Sequence, residues 1–157
     1  MSGGALVSRK KVALISDTHG TVSKHLKEII CQYDYIIHAG DIGSKACYEE
    51  LKSLSIPLYM IKGNCDIGSY AKYLPETLSF RILNTSFYLI HDKSRLPAFI
   101  SESDVVVFGH THHATLYKSF NTTYCNPGSA NAIKSTSPSF ACMEISDTDF
   151  QIHLIHL

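Results

Sequence analysis

The feature that most constrains this chain is a recurring one: a short apolar run, too short for a helix, ended by a cluster of glycine and polar residues. The first case is Lys11-Val12-Ala13-Leu14-Ile15-Ser16-Asp17-Thr18-His19-Gly20. A run of that length predicts a buried strand that delivers a carboxylate and an imidazole to its C-terminal end. Open α/β sheets keep their ligands at that edge. Asp-x-His alone is what many loops show after a strand, so the weight falls on how the later strands end.

After Gly20, Ser23 can cap a helix with Leu26, Ile29 and Ile30 on one face and Lys24, Lys27 and Glu28 on the other; His25 lies among the charged positions and is given no role. Tyr35-Ile36-Ile37-His38 is a second strand, followed by Ala39-Gly40-Asp41. A strand–helix–strand unit makes the two strands parallel neighbours, so Asp17 and Asp41 reach the same edge. The next helix is expected from Ser44 to Leu54, with Ala46, Cys47, Leu51 and Leu54 towards the core. A third strand, Pro57 to Ile61, then runs into Lys62-Gly63-Asn64-Cys65-Asp66.

From Thr77 the pattern alternates. Leu78, Phe80 and Ile82 lead through Leu83-Asn84-Thr85 to Ser86-Phe87-Tyr88-Leu89-Ile90-His91, a hairpin of a second, antiparallel or mixed sheet. A short helix is expected around Leu96 to Ile100. Val105 to Phe108, the most apolar strand, ends in Gly109-His110-Thr111-His112-His113. Leu116–Phe120 and Thr122–Cys125 form a further hairpin that closes on Asn126-Pro127-Gly128-Ser129. Phe140–Ile145 and Phe150–Leu157 are expected to pair around Ser146-Asp147-Thr148-Asp149 and to finish the second sheet.

With 157 residues, 45% hydrophobic and 18% charged, the chain fits one ordinary globular domain, expected over residues 11–157 behind a loose tail of residues 1–10. Fourteen basic and fourteen acidic side chains cancel, which speaks against polynucleotide binding and against an anionic membrane as partner. The five cysteines are odd in number and form no Cys-x-x-Cys pair, and the N-terminal residues lack the apolar stretch of a signal peptide; both features predict reduced thiols and a cytoplasmic protein. No run approaches the ~18 apolar residues of a membrane span.

The strand ends together supply Asp17, His19, Asp41, Asn64, His91, His110 and His112. Carboxylates and imidazoles converging on one edge oppose folding unless something neutralises them, and a pair of divalent metals does so. The imidazole and oxygen mixture suits manganese, iron, nickel, cobalt or zinc better than calcium or magnesium. If two ions sit ~3.5–4 Å apart, one carboxylate must bridge them, and Asp41 is the candidate.

This ordered series of Asp-x-His, Gly-Asp, Gly-Asn-Cys-Asp, strand-His and Gly-His-Thr-His resembles the calcineurin-like metallophosphoesterases. The Gly-Asn-Cys-Asp form and the later Asn-Pro-Gly-Ser are similar to the small bacterial and archaeal phosphodiesterases of that superfamily, from about Lys11 onward. The resemblance implies a four-layer α/β/β/α sandwich of two mixed β-sheets with two metals, manganese first among them. It implies one metal on Asp17, His19, Asp41 and His112 and the other on Asp41, Asn64, His91 and His110. It also implies hydrolysis of a small phosphodiester through a metal-bridging hydroxide, with Asn64, Cys65 and His110 at the reacting phosphate.

Two positions depart from the family pattern. Where most relatives carry a histidine that helps the leaving group, this chain has Cys65, and a thiol with a normal pKa of about 8.5 is a poor substitute at neutral pH. Esters whose leaving group needs little protonation, such as aryl esters, are therefore expected to be favoured. His91 is followed by Asp92 where relatives usually have glycine, which is either a partner of a ligand or a plain loop residue. The arginine that often follows Asn-Pro-Gly-Ser is missing, with Lys134 as a possible replacement for a phosphate contact.

Among the remaining residues, Asp66 and His38 flank ligands and could orient them. His113, His153 and His156 are expected on the surface, Asn126 is expected to close a turn, and Gly128 to serve backbone geometry. Tyr70, Tyr73 and Phe99 could cover a substrate rim or a contact between copies in a homo-oligomer. The main rival is a metal-bound, catalytically weak protein-interaction scaffold of the retromer-subunit type. The filled set of ligand positions, His19 included, weighs against it. A nuclease lacks its basic stripe. A phosphomonoesterase would lack arginines, since only Arg81 and Arg95 lie past the tail.

Overall fold

The computed structural model describes residues 8–98, 100, 102–131, 133 and 135–157. The first half forms β1 (Arg9–Ile15), α1 (Lys24–Ile30), β2 (Tyr35–His38), α2 (Lys45–Ser53) and β3 (Leu58–Met60). β1, β2 and β3 run parallel as neighbours, with Ile15 beside His38 and His38 beside Met60, so the three strand ends emerge together as the sequence predicts. β1 starts earlier than expected: Arg9 and Lys10, assigned above to the tail, pair with Ser146 and Ile145. Ser23 and Ser44 cap the two helices by accepting the N–H of Leu26 and of Cys47, each at 3.1 Å. Helices this short do not stand on propensity alone. They stand on the burial of Leu26, Ile30, Cys47 and Leu51. Ala46, expected in the core, is exposed, because one residue along a helix turns the side chain about 100° from the buried stripe.

The second sheet contains β4 (Thr77–Ile82), β5 (Thr85–Ile90), β6 (Val105–Val107), β7 (Thr115–Ser119) and β8 (Thr122–Asn126) in the order β4-β5-β6-β8-β7. Its centre, β5-β6-β8, is parallel, and its two edges are antiparallel hairpins. The short helix expected from Leu96 to Ile100 does not form among the described residues of that span. A 3-10 turn over Lys93–Arg95 comes before it instead, capped by Asp92, whose Oδ1 accepts the Ser94 N–H at 3.0 Å. Leu96 is extended with ψ 131° because it precedes Pro97, whose ring disfavours helical backbone on its neighbour.

The last two strands, β9 (Ser139–Ser146) and β10 (Phe150–His156), correct the expected topology. They pair as predicted but belong to the first sheet, in the order β10-β9-β1-β2-β3, with β9 antiparallel to β1. Every β9 residue except Glu144 is buried, as suits a strand with sheet on both sides and packing on both faces. Val12, Leu14, Ala141 and Met143 of the first sheet meet Phe87, Leu89, Val105 and Val107 of the second in the central core. Ala13, Ile15, Phe140 and Cys142 face the helices. Tyr88, Ile90, Val106 and Phe108 form the outer face of the second sheet, under Leu96 and Ile100. The architecture is the expected sandwich of two mixed sheets. Among the described residues no helix is long and apolar enough to cross a membrane.

Candidate metal centre

The loops that follow β1 and β2 continue the pairing of their strands. Asp17 donates its N–H to the Gly40 carbonyl at 2.9 Å and His19 donates to the Asp41 carbonyl at 3.0 Å. This carries both carboxylates to one place, as the parallel register requires. The loop after β8 buttresses them: Ser129 Oγ donates to the Asp17 carbonyl at 2.9 Å, and Asn131 Nδ2 to that of Thr18 at 2.7 Å. Asn126 closes this loop as expected, accepting the Gly128 N–H at 2.9 Å and donating to the Gly109 carbonyl at 3.1 Å.

Each carboxylate has one oxygen held by the protein and one presented to the imidazoles. Asp17 Oδ2 accepts from the Ser16 hydroxyl at 2.5 Å and the His110 N–H at 3.1 Å. Its Oδ1 lies 3.2 Å from His112 Nε2, 3.5 Å from His19 Nε2 and 3.9 Å from His91 Nε2. Asp41 Oδ1 accepts the Cys65 N–H at 2.8 Å, while its Oδ2 lies 3.2 Å from His91 Nε2 and 3.8 Å from His19 Nε2. Two glycines make this approach possible: a Cβ on Gly63 would collide with Asp41 Oδ1, and one on Gly109 with Ser16 and Asp17.

The protonation pattern points to a cation. His91 Nδ1 faces the Ala39 carbonyl at 2.8 Å and must donate to it, so in the neutral ring the lone pair lies on Nε2, which faces the two carboxylates. Asp17 Oδ1 and His91 Nε2 are buried without a hydrogen-bond partner. His19 Nε2 and His112 Nε2 face each other at 3.0 Å, so two lone pairs oppose unless one carries a proton or a cation lies between them. Burial works to raise the Asp41 pKa, but His91 and the Cys65 amide outweigh it and hold that carboxylate below the usual range. Burial likewise works to lower the His91 pKa and is outweighed by the carboxylates of Asp41 and Asp17. Imidazole and carboxylate atoms gathered in this way, two of them buried and unpartnered, fit divalent transition metals.

Three groupings have mutually close donor atoms: Asp17 with His19 and His112, Asp17 with Asp41 and His91, and His19 with Asp41 and Cys65. Five of the seven expected ligands, Asp17, His19, Asp41, His91 and His112, thus lie together with Cys65, and Asp41 Oδ2 is near the imidazoles of both His91 and His19. Asn64 and His110 stand at the exposed side, where Asn64 Oδ1 lies 3.2 Å from His110 Nδ1. His110 Nε2 is turned towards Asp92 Oδ2 at 3.8 Å, and His110 joins none of the groupings among the described residues. Cys65 is exposed, and burial together with the Asp41 charge raises its thiol pKa, which keeps it protonated at neutral pH.

The residues behind the ligands were partly legible. Asp66 ties the loop after β2 to its own loop after β3: its Oδ2 accepts the N–H groups of Asp41 at 2.9 Å, Ile42 at 3.2 Å and Gly63 at 2.9 Å, while its Oδ1 accepts from Gly43 and from the Tyr70 hydroxyl. His38 accepts the Gly40 N–H at Nδ1, so its Nε2–H donates to Thr18 Oγ1 at 2.9 Å, and burial pushes its pKa down to about 4. Ser16, Thr18 and Asn131 carry no spacing signal as isolated hydroxyls and an amide, and the motif Asn126-Pro127-Gly128-Ser129 marks Ser129 without revealing its bond to Asp17. His113, His153 and His156 are exposed as expected. Tyr73 is 81% exposed. Lys134 and Phe99 lie outside the described residues.

A family model for the calcineurin-like phosphoesterase superfamily domain matches residues 11–148. A protein named as a probable metallophosphoesterase of Methanothermobacter thermautotrophicus is 27% identical over 92% of this chain and 91% of its own. Vacuolar protein sorting-associated protein 29 of Schizosaccharomyces pombe is 28% identical over 83% of this chain and 80% of its own. A phosphodiesterase of Methanocaldococcus jannaschii is 24% identical over 90% and 96%. Among solved structures, vacuolar protein sorting 29 of Cryptosporidium parvum shares the fold with a TM-score of 0.76 at 20% identity, over 95% of this chain and 98% of that one.

Proposed function

As a chain that belongs to the calcineurin-like phosphoesterase superfamily, this is, we propose, a metal-dependent phosphodiesterase with a dinuclear centre that hydrolyses a small phosphodiester. The observation that carries the reading is the pair of buried, unpartnered atoms, Asp17 Oδ1 and His91 Nε2, within a cluster of carboxylates and imidazoles. Asp17, His19, Asp41 and His112 would hold one ion, and Asp41, Asn64, His91 and His110 the other, with Asp41 shared and manganese the first metal to test. Two divalent ions there would supply an activated water and neutralise the charge that develops on the phosphoryl oxygens.

The side chains of this centre then have defined tasks. Ser16 and the His110 amide keep Asp17 Oδ1 turned inward by occupying Oδ2. The Cys65 amide does the same for Asp41. The Ala39 carbonyl keeps the His91 proton on Nδ1. In the reaction the oxygen of water bonds to phosphorus and the bond from phosphorus to one ester oxygen breaks. The products are a phosphomonoester and an alcohol, which takes up a proton. Cys65, a protonated thiol of raised pKa, is a weak acid for that step, and aryl leaving groups are favoured accordingly. We assign the activity to one domain that begins with β1 at Arg9 and runs to residue 157, in a reducing compartment that suits five unpaired cysteines.

The test uses chelator-stripped protein with bis(4-nitrophenyl) phosphate and 4-nitrophenyl phosphate. Manganese is expected to restore turnover of the diester at least about tenfold above the monoester, and general acid help of 10²–10⁴-fold is expected to be missing for alkyl diesters. The similarity to vacuolar protein sorting 29 favours a second reading, a metal-bound interaction scaffold. Metal binding without turnover of either ester would select it.

A further inference from the structure

Two recesses that share no lining residue open beside the converging ligands. The first, of 270 Å³, has Asn64, His91 and His110 in its wall and extends past Lys62, Glu76 and Arg95. The second, of 490 Å³, has His112 in its wall and extends past His113, Ser135, Thr136, Ser137 and His156. Asp17 Oδ1 is 3.9 Å from Nε2 of His91, a wall residue of the first recess, and 3.2 Å from Nε2 of His112, a wall residue of the second. A phosphorus atom held at the centre therefore has a cavity available for each of the two substituents of a diester.

Resting on the phosphodiesterase reading, we propose that the two recesses take the two ester arms, and that the recess beside His112 selects a retained arm bearing hydroxyl groups, a polyol or a sugar. Its described lining has four hydroxyls, those of Thr111, Ser135, Thr136 and Ser137, and two imidazoles beyond His112, with no charged group and only Ala114 as an aliphatic side chain. Hydroxyls both donate and accept, so they complement a hydroxylic arm. An alkyl arm would cover these groups without replacing their water, at a cost in affinity. The lining is also ordered in advance: Ser137 Oγ lies 3.3 Å from His156 Nδ1, and the Ser137 N–H donates to Ser135 Oγ at 3.2 Å. The opposite recess mixes charges of both signs with Ile90 and Pro97, and Asn64 brings it next to Cys65, so it receives the leaving arm.

The test holds the leaving group constant and varies the retained arm. Manganese-loaded protein is given 4-nitrophenyl 2,3-dihydroxypropyl phosphate and 4-nitrophenyl propyl phosphate. In the same protein, binding of glycerol 1-phosphate and propyl phosphate is compared by calorimetry. The hydroxylic ester is expected to have the higher kcat/KM by about tenfold, the worth of one or two well-made hydrogen bonds, and glycerol 1-phosphate is expected to bind more tightly by a similar factor. Ser137→Ala combined with His156→Leu is expected to bring both ratios close to one. Because each ratio compares two ligands on one protein, a general loss of folding or metal cancels. Ratios near one in the unsubstituted protein, or undiminished in the variant, overturn the inference. Selective binding without turnover of either diester would keep the recess and overturn the phosphodiesterase reading instead, and the absence of both would overturn the two together.

Discussion

Five of the seven candidate ligand residues hold a left-handed backbone: Asp17 at φ 54°, His19 at 47°, Asp41 at 59°, His110 at 74° and His112 at 64°. Non-glycine residues reach this region at a cost of order 1–3 kcal/mol each, and they persist there only where the surroundings over-determine them. Here the surroundings are the loop pairings of Asp17 and His19 and the hydrogen bonds from Ser129 and Asn131. His38 carries a prediction at the same scale. Its folded pKa of about 4 lies below the ordinary 6.5, so between those values the unfolded chain binds the extra proton. Its contribution to stability is complete above pH 6.5 and falls away as the pH drops towards 4, by on the order of 3 kcal/mol. Urea unfolding at pH 7 and pH 4.5 is expected to show a smaller acid loss for His38→Gln than for the unsubstituted protein. Equal losses would mean that His38 is not held neutral.

At the scale of elements, the loops after β2 and β3 act as one unit because Asp66, in the second, accepts the N–H groups of Asp41 and Gly43 in the first as well as that of Gly63 in its own. Asp66→Asn removes the charge and turns one acceptor position into a donor facing those amides, at a cost of about 2–4 kcal/mol by the usual penalty for a buried, charge-assisted network. Chemical denaturation and metal titration are both expected to weaken, whereas a surface role would leave both unchanged. The sequence made most elements legible, because α1, α2 and the strands before the ligands have clear apolar periods and serine caps. It did not disclose the 3-10 turn at Lys93. There Asp92 caps a turn in place of the expected helix, and Pro97 forbids the helical backbone at Leu96.

For the whole molecule, the centre ties the sheets together: Asp17, His19 and Asp41 follow strands of the first, while His91, His110 and His112 follow strands of the second. Metal that binds the folded chain alone stabilises it by about 2.7 kcal/mol at about 100 times Kd. For a chain of this size that raises Tm by about 5–10 °C. Calorimetric scans with manganese and with chelator are expected to differ by that amount, and Asp17→Asn is expected to remove the difference. An unchanged Tm would mean that manganese does not bind the folded chain in preference to the unfolded one, against the metal-dependent reading.

The sequence by itself determined the order of the strands, the placing of α1 and α2 between them and the parallel placement of Asp17 and Asp41, because short-range periodicity and the right-handed crossover rule act locally along the chain. Tertiary structure alone decided that β9 and β10 join β1 and not the second sheet, since an apolar or alternating run marks a strand without naming its partner. It also decided the inward turn of Asp17 Oδ1 and the coupling of His91 to Ala39 across the interface. These depend on groups far apart in the chain, and only packing brings such groups within hydrogen-bond reach.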